Sequence, residues 1–226
     1  MLTFIRFGDV STVTLRVGTG TEETAFQVHE DLLCQHSSFF KAAFTSQWKR
    51  NTERKIRLPE DDPDTFEEFI QWLYTQNYEL DKEPEEGIDW MSKSAVLYVL
   101  ADKYDVVPLK NDICKAIHKR YNDHEAPRAP KPEKELVAYV YKNTSRSSPL
   151  RKMLADWYTW HNDRRWFENR SIQKWLLHNP EFAVDLVVGL SQWGELRLRS
   201  KSPLSGEVGR YLEGEHGVTV VPDVEI

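Results

Sequence analysis

FQVHEDLLCQHSSFFKAAF, residues 26–44, joins the end of a strand-like run to an amphipathic helix with almost no connecting chain. Side chains of a strand alternate between faces, so Phe26 and Val28 share one face. Leu32 and Leu33 then begin a helical spacing. After a polar break, Gln35-His36-Ser37-Ser38, the apolar residues Phe39, Phe40, Ala43 and Phe44 follow at i, i+1, i+4 and i+5, which is one helix face. Ser37 or Ser38 can cap this second helix by accepting a hydrogen bond from a free backbone N–H. The stretch holds no nucleophile–base pair and no phosphate loop.

Upstream, residues 13–17 (VTLRV) alternate apolar and polar and predict a strand. Gly18-Thr19-Gly20-Thr21 is a turn, and residues 24–28 (TAFQV) predict the second arm of a hairpin. The glycines join two strands, and no GK[ST] run or following helix N-terminus is present to hold phosphate. Downstream, residues 55–58 (KIRL) predict a short strand. Glu60-Asp61-Asp62-Pro63-Asp64 then marks a helix start, with acidic side chains at the positive end of the dipole and a proline near the first turn. Phe66, Phe69, Ile70, Leu73 and Tyr74 give that helix its apolar stripe. The aspartates lack the glycine and glutamate of a calcium loop, so helix capping is the expectation.

Residues 59–90 carry twelve acidic side chains and one basic one, Lys82, and their second part predicts a solvated loop. Residues 94–104 and 109–121 predict two antiparallel helices around a short turn at 106–109. Residues 122–133, with Pro127, Pro130 and Pro132, predict a linker. Helical patterns resume at 133–142, 149–161 and 171–190, the last broken at Asn179-Pro180. Residues 194–226, with five glycines and two prolines, predict a loose tail in which 218–221 could pair as a strand.

The 226 residues are 40% hydrophobic and 12% aromatic, which excludes a disordered chain. A net charge of −6 argues against a nucleic-acid binder. Cys34 and Cys114 read as small buried thiols, and no spacing of Cys and His supplies a zinc site. No run approaches a membrane span and no signal peptide is evident, so the expected location is intracellular, cytoplasmic or nuclear, with no membrane partner.

Taken in order, VTLRVG, FQVHEDLL, SSFFKAAF, KIRLPEDDPDTFEEFIQWLYTQNY and LYVLADKYDVVPLKN resemble a BTB/POZ domain, in the style of fungal BTB proteins. The resemblance covers slightly over half the chain. It implies an α+β fold, a helical cluster flanked by a small sheet, used for homodimerisation and for docking other proteins. The expected organisation is a BTB/POZ domain over 1–121, the Pro-rich linker 122–133, a helical extension over 134–193 and the tail 194–226. Residues 3–7 (TFIRF) are a candidate for the extra strand that some family members exchange in their dimers.

Two departures from the family pattern bear on function. Members with a charged dimer groove carry Asp where this chain has Thr12. Members that recruit a cullin scaffold carry a bulky apolar residue, any residue, then Glu; here Trp48, Lys49 and Arg50 stand there, and Arg50 reverses the charge. The candidate partner-binding residues are Trp48, Lys49, Arg50 and Phe44. His29 and the Phe39/Phe40 pair read as structural. In the second half, RRWFENR (164–170) is similar to part of a homeodomain recognition helix but lacks its preceding helices. Arg164, Arg165, Arg170 and Lys174 are the anion-binding candidates there.

No catalytic residue, cofactor or metal is implied. The expectation is a non-enzymatic protein–protein interaction module that self-associates and docks partners. The alternatives are a substrate adaptor of a cullin-based ubiquitin ligase and, last, a transcription-related nucleic-acid-binding protein.

Overall fold

Thr12–Val17 (β1) alternates between solvent and core, with Val13, Leu15 and Val17 buried. Thr24–His29 (β2) pairs with it antiparallel, setting Val13 opposite Val28 and Leu15 opposite Phe26. Lys55–Leu58 (β3) pairs on the other side in parallel, with Leu15 opposite Ile56 and Val17 opposite Leu58. The computed structural model that gives this β2-β1-β3 sheet describes residues 11–46, 54–80, 90–122, 131–193 and 202–214. The hairpin turn needs glycine at position 18, where φ is +84° and a Cβ would stand 3.1 Å from the Pro63 ring and 3.2 Å from the Glu22 carbonyl.

Strand β3 lies on the far side of β1 from β2, so the chain leaves the sheet after β2 and returns to its other edge, with two helices in between. These are Glu30–His36 (α1) and Ser38–Ser46 (α2). Ser37 is the cap: its Oγ accepts from the Phe40 N–H at 3.1 Å, while Ser38 donates to the Asp105 carboxylate. Pro63–Thr75 (α3) starts as its sequence predicts, with Asp62 accepting from the Thr65 N–H at 2.8 Å. It ends at Gln76 in the left-handed conformation. Its buried side chains are Phe66, Phe69, Trp72 and Leu73. Trp72 joins the expected stripe and Tyr74 leaves it, because the Tyr74 hydroxyl turns outward to His29.

Trp90–Lys103 (α4) begins earlier than its apolar spacing suggests. Val107–Tyr121 (α5) absorbs Pro108, which the sequence reading assigns to a turn. The position explains the difference: within the first helical turn a proline lacks only an N–H that has no intrahelical partner. Five more helices follow: Lys134–Asn143 (α6), Pro149–His161 (α7), Arg164–Glu168 (α8), Arg170–His178 (α9) and Pro180–Trp193 (α10). The expected break at Asn179-Pro180 is where α9 stops and α10 starts.

The chain falls into two compact units, residues 1–77 with 100–109, and residues 78–99 with 110–226, so α4 and α5 each contribute to both. In the first, the core is the inner face of the sheet with Leu33, Phe40, Phe66, Phe69 and Tyr104. Around Tyr104 the rings of Phe40 and Phe39 lie 5.0 and 5.1 Å away. Asp61 accepts the Tyr104 hydroxyl proton and pairs with Lys103 at 2.8 Å.

In the second unit α7 is the buried element, with Leu150, Met153, Leu154, Trp157 and Tyr158 inside. Phe182 of α10 meets the Tyr158 ring at 5.3 Å. The helices close most tightly at Gly189, where a Cβ would lie 2.6 Å from the Thr159 hydroxyl and 3.3 Å from its other side-chain carbons. That hydroxyl is buried without a hydrogen bond.

The expected linker is described only from Lys131 onward; there Pro132 is buried and its carbonyl accepts from the Tyr158 hydroxyl at 2.5 Å. The expected loose tail is docked over 202–214, with Leu204 and Tyr211 buried in two short 3-10 turns, Pro203–Ser205 and Val208–Tyr211. Residues 3–7 and 218–221 lie outside the described residues.

Gly189→Ala is expected to lower stability by about 1–2 kcal/mol, overpacking outweighing the helix propensity gained. In a Thr159→Ala background the same change should be neutral or stabilising, since the methyl then fills the space that the threonine leaves. Urea unfolding of the four chains checks this cycle; equal effects in both backgrounds would remove the contact from the account.

Candidate functional site

Trp48, Lys49 and Arg50 lie outside the described residues. Phe44, named with them from sequence, is a core residue: it is 8% exposed and its ring stacks on Phe40 at 6.1 Å. The reason is its place four residues after Phe40, on the face of α2 that meets the core. Phe39, taken as structural, is the large apolar side chain of this stretch that reaches solvent, at 44% exposure, with its ring edge-on to Phe40 and Tyr104. The helical spacing already separates them, because neighbours in sequence point about 100° apart on a helix.

His29 serves the fold as expected. Its ring Nδ1 lies 2.8 Å from the Tyr74 hydroxyl, and its backbone N–H donates to the same oxygen at 3.2 Å. The thiols are held protonated. Burial, then Glu30 and Asp31, raises the Cys34 pKa, and burial, then Glu213, pushes that of Cys114 far up. Among the described residues no group of His, Cys, Asp and Glu is placed to hold a metal ion. A cavity of about 20 Å³ between Met91, Ile117, Leu150, Met153, Trp157 and Leu204 has room for little more than one water and is apolar.

RRWFENR is divided between two helices. Asn169 stands in the break and caps α9, accepting from the Ser171 N–H at 2.9 Å and its hydroxyl at 2.7 Å. It is thereby engaged away from any base edge. Arg164 pairs with Glu168 at 2.6 Å, one turn along α8. Arg165, Arg170 and Lys174 are exposed and form no ion pair among the described residues.

Two polar networks escaped sequence reading. The Arg151 guanidinium is buried at the end of α6: Nε donates to the Thr144 hydroxyl at 3.0 Å, and one terminal nitrogen donates to the Tyr141 and Thr144 carbonyls. The other pairs with Glu181 of α10. Its Cζ lies 4.7 Å from the centre of the Tyr141 ring, whose hydroxyl donates to Asp185 at 2.6 Å.

The second network fastens residues 202–214 to α5 and α7. Asn111 exchanges two hydrogen bonds with the Glu213 backbone, at 2.8 and 3.0 Å. The Glu213 carboxylate pairs with buried Lys110 at 2.7 Å. Asn122 donates to the Leu204 carbonyl at 2.8 Å. The Tyr211 hydroxyl donates to buried Asp156 at 2.8 Å, and Lys152 reaches the same oxygen at 3.3 Å. Burial, then the Asp156 charge, pushes the Tyr211 pKa far up, so the phenol remains a donor at any physiological pH. A sequence clue lay in the buried-type residues of a Gly-rich run, but nothing there names their partners, which are 50 to 100 positions earlier.

The model of the BTB/POZ domain matches residues 3–121. Kelch-like protein 23 of Homo sapiens is 22% identical over 200 residues, covering 83% of this chain and 35% of the relative. The proteins of the same name from Pongo abelii and Mus musculus match at the same identity and coverage. The chain thus spans about a third of the length of the curated relatives it matches.

Tyr211→Phe keeps the ring and removes one donor from buried Asp156. It is expected to lower stability by about 1–3 kcal/mol, read as a lower denaturant midpoint with unchanged slope. An unaltered midpoint would mean that the C-terminal segment contributes no docking energy through this bond.

Proposed function

We propose, from the premise that this chain belongs to the BTB/POZ domain family, that it works as a non-enzymatic interaction module that self-associates and docks other proteins. The observation that carries the reading is the family match across 3–121, over a fold whose central strand, crossover helices and capped α3 stand as the motif order predicts. The likeness to the Kelch-like relatives takes in 83% of the chain, more than 3–121 alone, which supports a helical extension that functions together with the BTB/POZ domain. The division into 1–121, 122–133, 134–193 and 194–226, the fungal-type kinship and an intracellular location belong to the same proposal. The matched relatives named above are animal proteins. Among the described residues no helix is long and apolar enough to cross a membrane.

In this reading Trp48, Lys49 and Arg50 form part of the partner-docking surface, with Phe39 in the place first given to Phe44. Size-exclusion chromatography with light scattering tests self-association. A dimer at tens of micromolar is expected, and a strict monomer counts against the reading.

The second reading is a substrate adaptor for a cullin scaffold. Arg50 opposes it, since a like charge at a docked contact disfavours binding by several kcal/mol. In a pull-down with purified cullin, no capture of the wild type and capture of Arg50→Glu would rule the adaptor out and support the charge argument; capture of the wild type would establish it.

A further inference from the structure

Helix α10 is apolar on both sides. Phe182 and Leu186 are buried, and Gly189 closes on α7. Away from them Val184, Val187 and Val188, at i, i+3 and i+4, are 53, 65 and 48% exposed. Leu177, near the end of α9, is 79% exposed. A helix that is apolar all round belongs in an interior, yet the described residues cover one side only. These four are also most of the large apolar side chains that the described residues expose, so the feature is concentrated rather than scattered.

The charges of the same helices are sorted. Every acidic side chain from Asp163 to α10 is engaged: Asp163 caps α8, Glu168 pairs with Arg164, Glu181 with Arg151, and Asp185 takes the Tyr141 proton donor. Arg165, Arg170 and Lys174 are left outside, with no ion pair among the described residues. Arg170, Lys174 and Leu177 fall at i, i+4 and i+7, one face of α9. Over 163–193 the formal charges balance, in a chain of net charge −6, so this stretch is less acidic than the whole.

We propose that the outer face of α9 and α10 is a docking site for an acidic amphipathic helix of another protein. Its apolar residues, at i, i+3 or i+4 and i+7, would cover the valines and Leu177, and its carboxylates would meet Arg170 and Lys174. The 14 residues of α10 extend about 21 Å, which suits a partner helix of about four turns. An anionic membrane has similar chemistry, but the face carries β-branched valines and, among the described residues, none of the large aromatic side chains that seat a helix in the lipid interface.

The test uses the full chain and a fluorescein-labelled synthetic helix of about sixteen residues, leucine at i, i+3, i+4 and i+7 and glutamate on its flanks. Anisotropy should show saturable binding, weakened about tenfold or more by Val187→Asp. The double variant Arg170→Glu, Lys174→Glu should weaken it similarly and should bind a peptide with lysine in place of glutamate. Val187→Ser gives the same readout if the aspartate variant fails to fold. The proposal is overturned by absence of wild-type binding, or by binding insensitive to both sets of variants. It also falls if the chain sediments with phosphatidylserine vesicles but not with the peptide. A dimer that Val187→Asp dissolves would overturn it too, since a second copy would then be the occupant.

Discussion

A buried guanidinium has to find partners for five N–H donors, and the second unit is assembled around how Arg151 does so. Its donors go to the Tyr141 and Thr144 carbonyls and the Thr144 hydroxyl at the end of α6, and to Glu181 at the start of α10. The last carbonyls of a helix have no intrahelical partner, so a cation placed there answers both the hydrogen-bond deficit and the negative end of the dipole. One side chain on α7 therefore ties three helices together. Lysine could not replace it, because a single ammonium cannot present a planar fork to two carbonyls, a hydroxyl and a carboxylate at once. With α7 held in this way, its other faces accept Phe182 and Gly189 of α10 and Tyr211 of the C-terminal segment.

The first unit depends on a different constraint. Strand β1 has partners on both sides, one antiparallel and one parallel, and because β2 and β3 flank it the chain has to leave the sheet after β2 and re-enter on the far side of β1. Helices α1 and α2 are that detour. Ser37 sits at their junction, where its hydroxyl accepts from Phe40 and donates to the Tyr104 carbonyl. The polar break in residues 26–44 is thus the hinge that lets Phe40 and Phe44 turn inward while Phe39 faces out.

The two networks also explain where interaction surface is left. From Asp163 to the end of α10 each acidic side chain caps a helix or has a partner, while Arg165, Arg170, Lys174 and three valines are exposed. The distribution differs from what composition suggests, since a chain with excess acid presents a basic and apolar face on α9 and α10. The homeodomain-like run takes its place in the same picture. Asn169 is a cap in the break between two helices, and Arg164 beside it pairs with Glu168.

Sequence by itself determined the elements and their order: the hairpin, KIRL as a strand, the Asp62 cap, the break at Asn179-Pro180 and the BTB/POZ kinship. The elements rest on period, capping and turn chemistry within a few residues of one another, which a linear reading can see, and the kinship rests on the resemblance of five ordered motifs to the family. It missed Pro108 inside α5 because the same residue suits a turn and a first helical turn alike. It named Phe44 as a partner contact and Phe39 as structural because both lie in one apolar group; in the structure Phe44 is buried against Phe40, and Phe39 reaches solvent while its ring still meets Tyr104. The docking of residues 202–214, the burial of Arg151 and the closeness of Gly189 to Thr159 were decided by tertiary structure alone. Each joins residues of different elements, from 7 positions apart for Arg151 and Thr144 to 102 for Asn111 and Glu213, and such pairings carry no periodic signal: they exist only once the elements have been brought side by side.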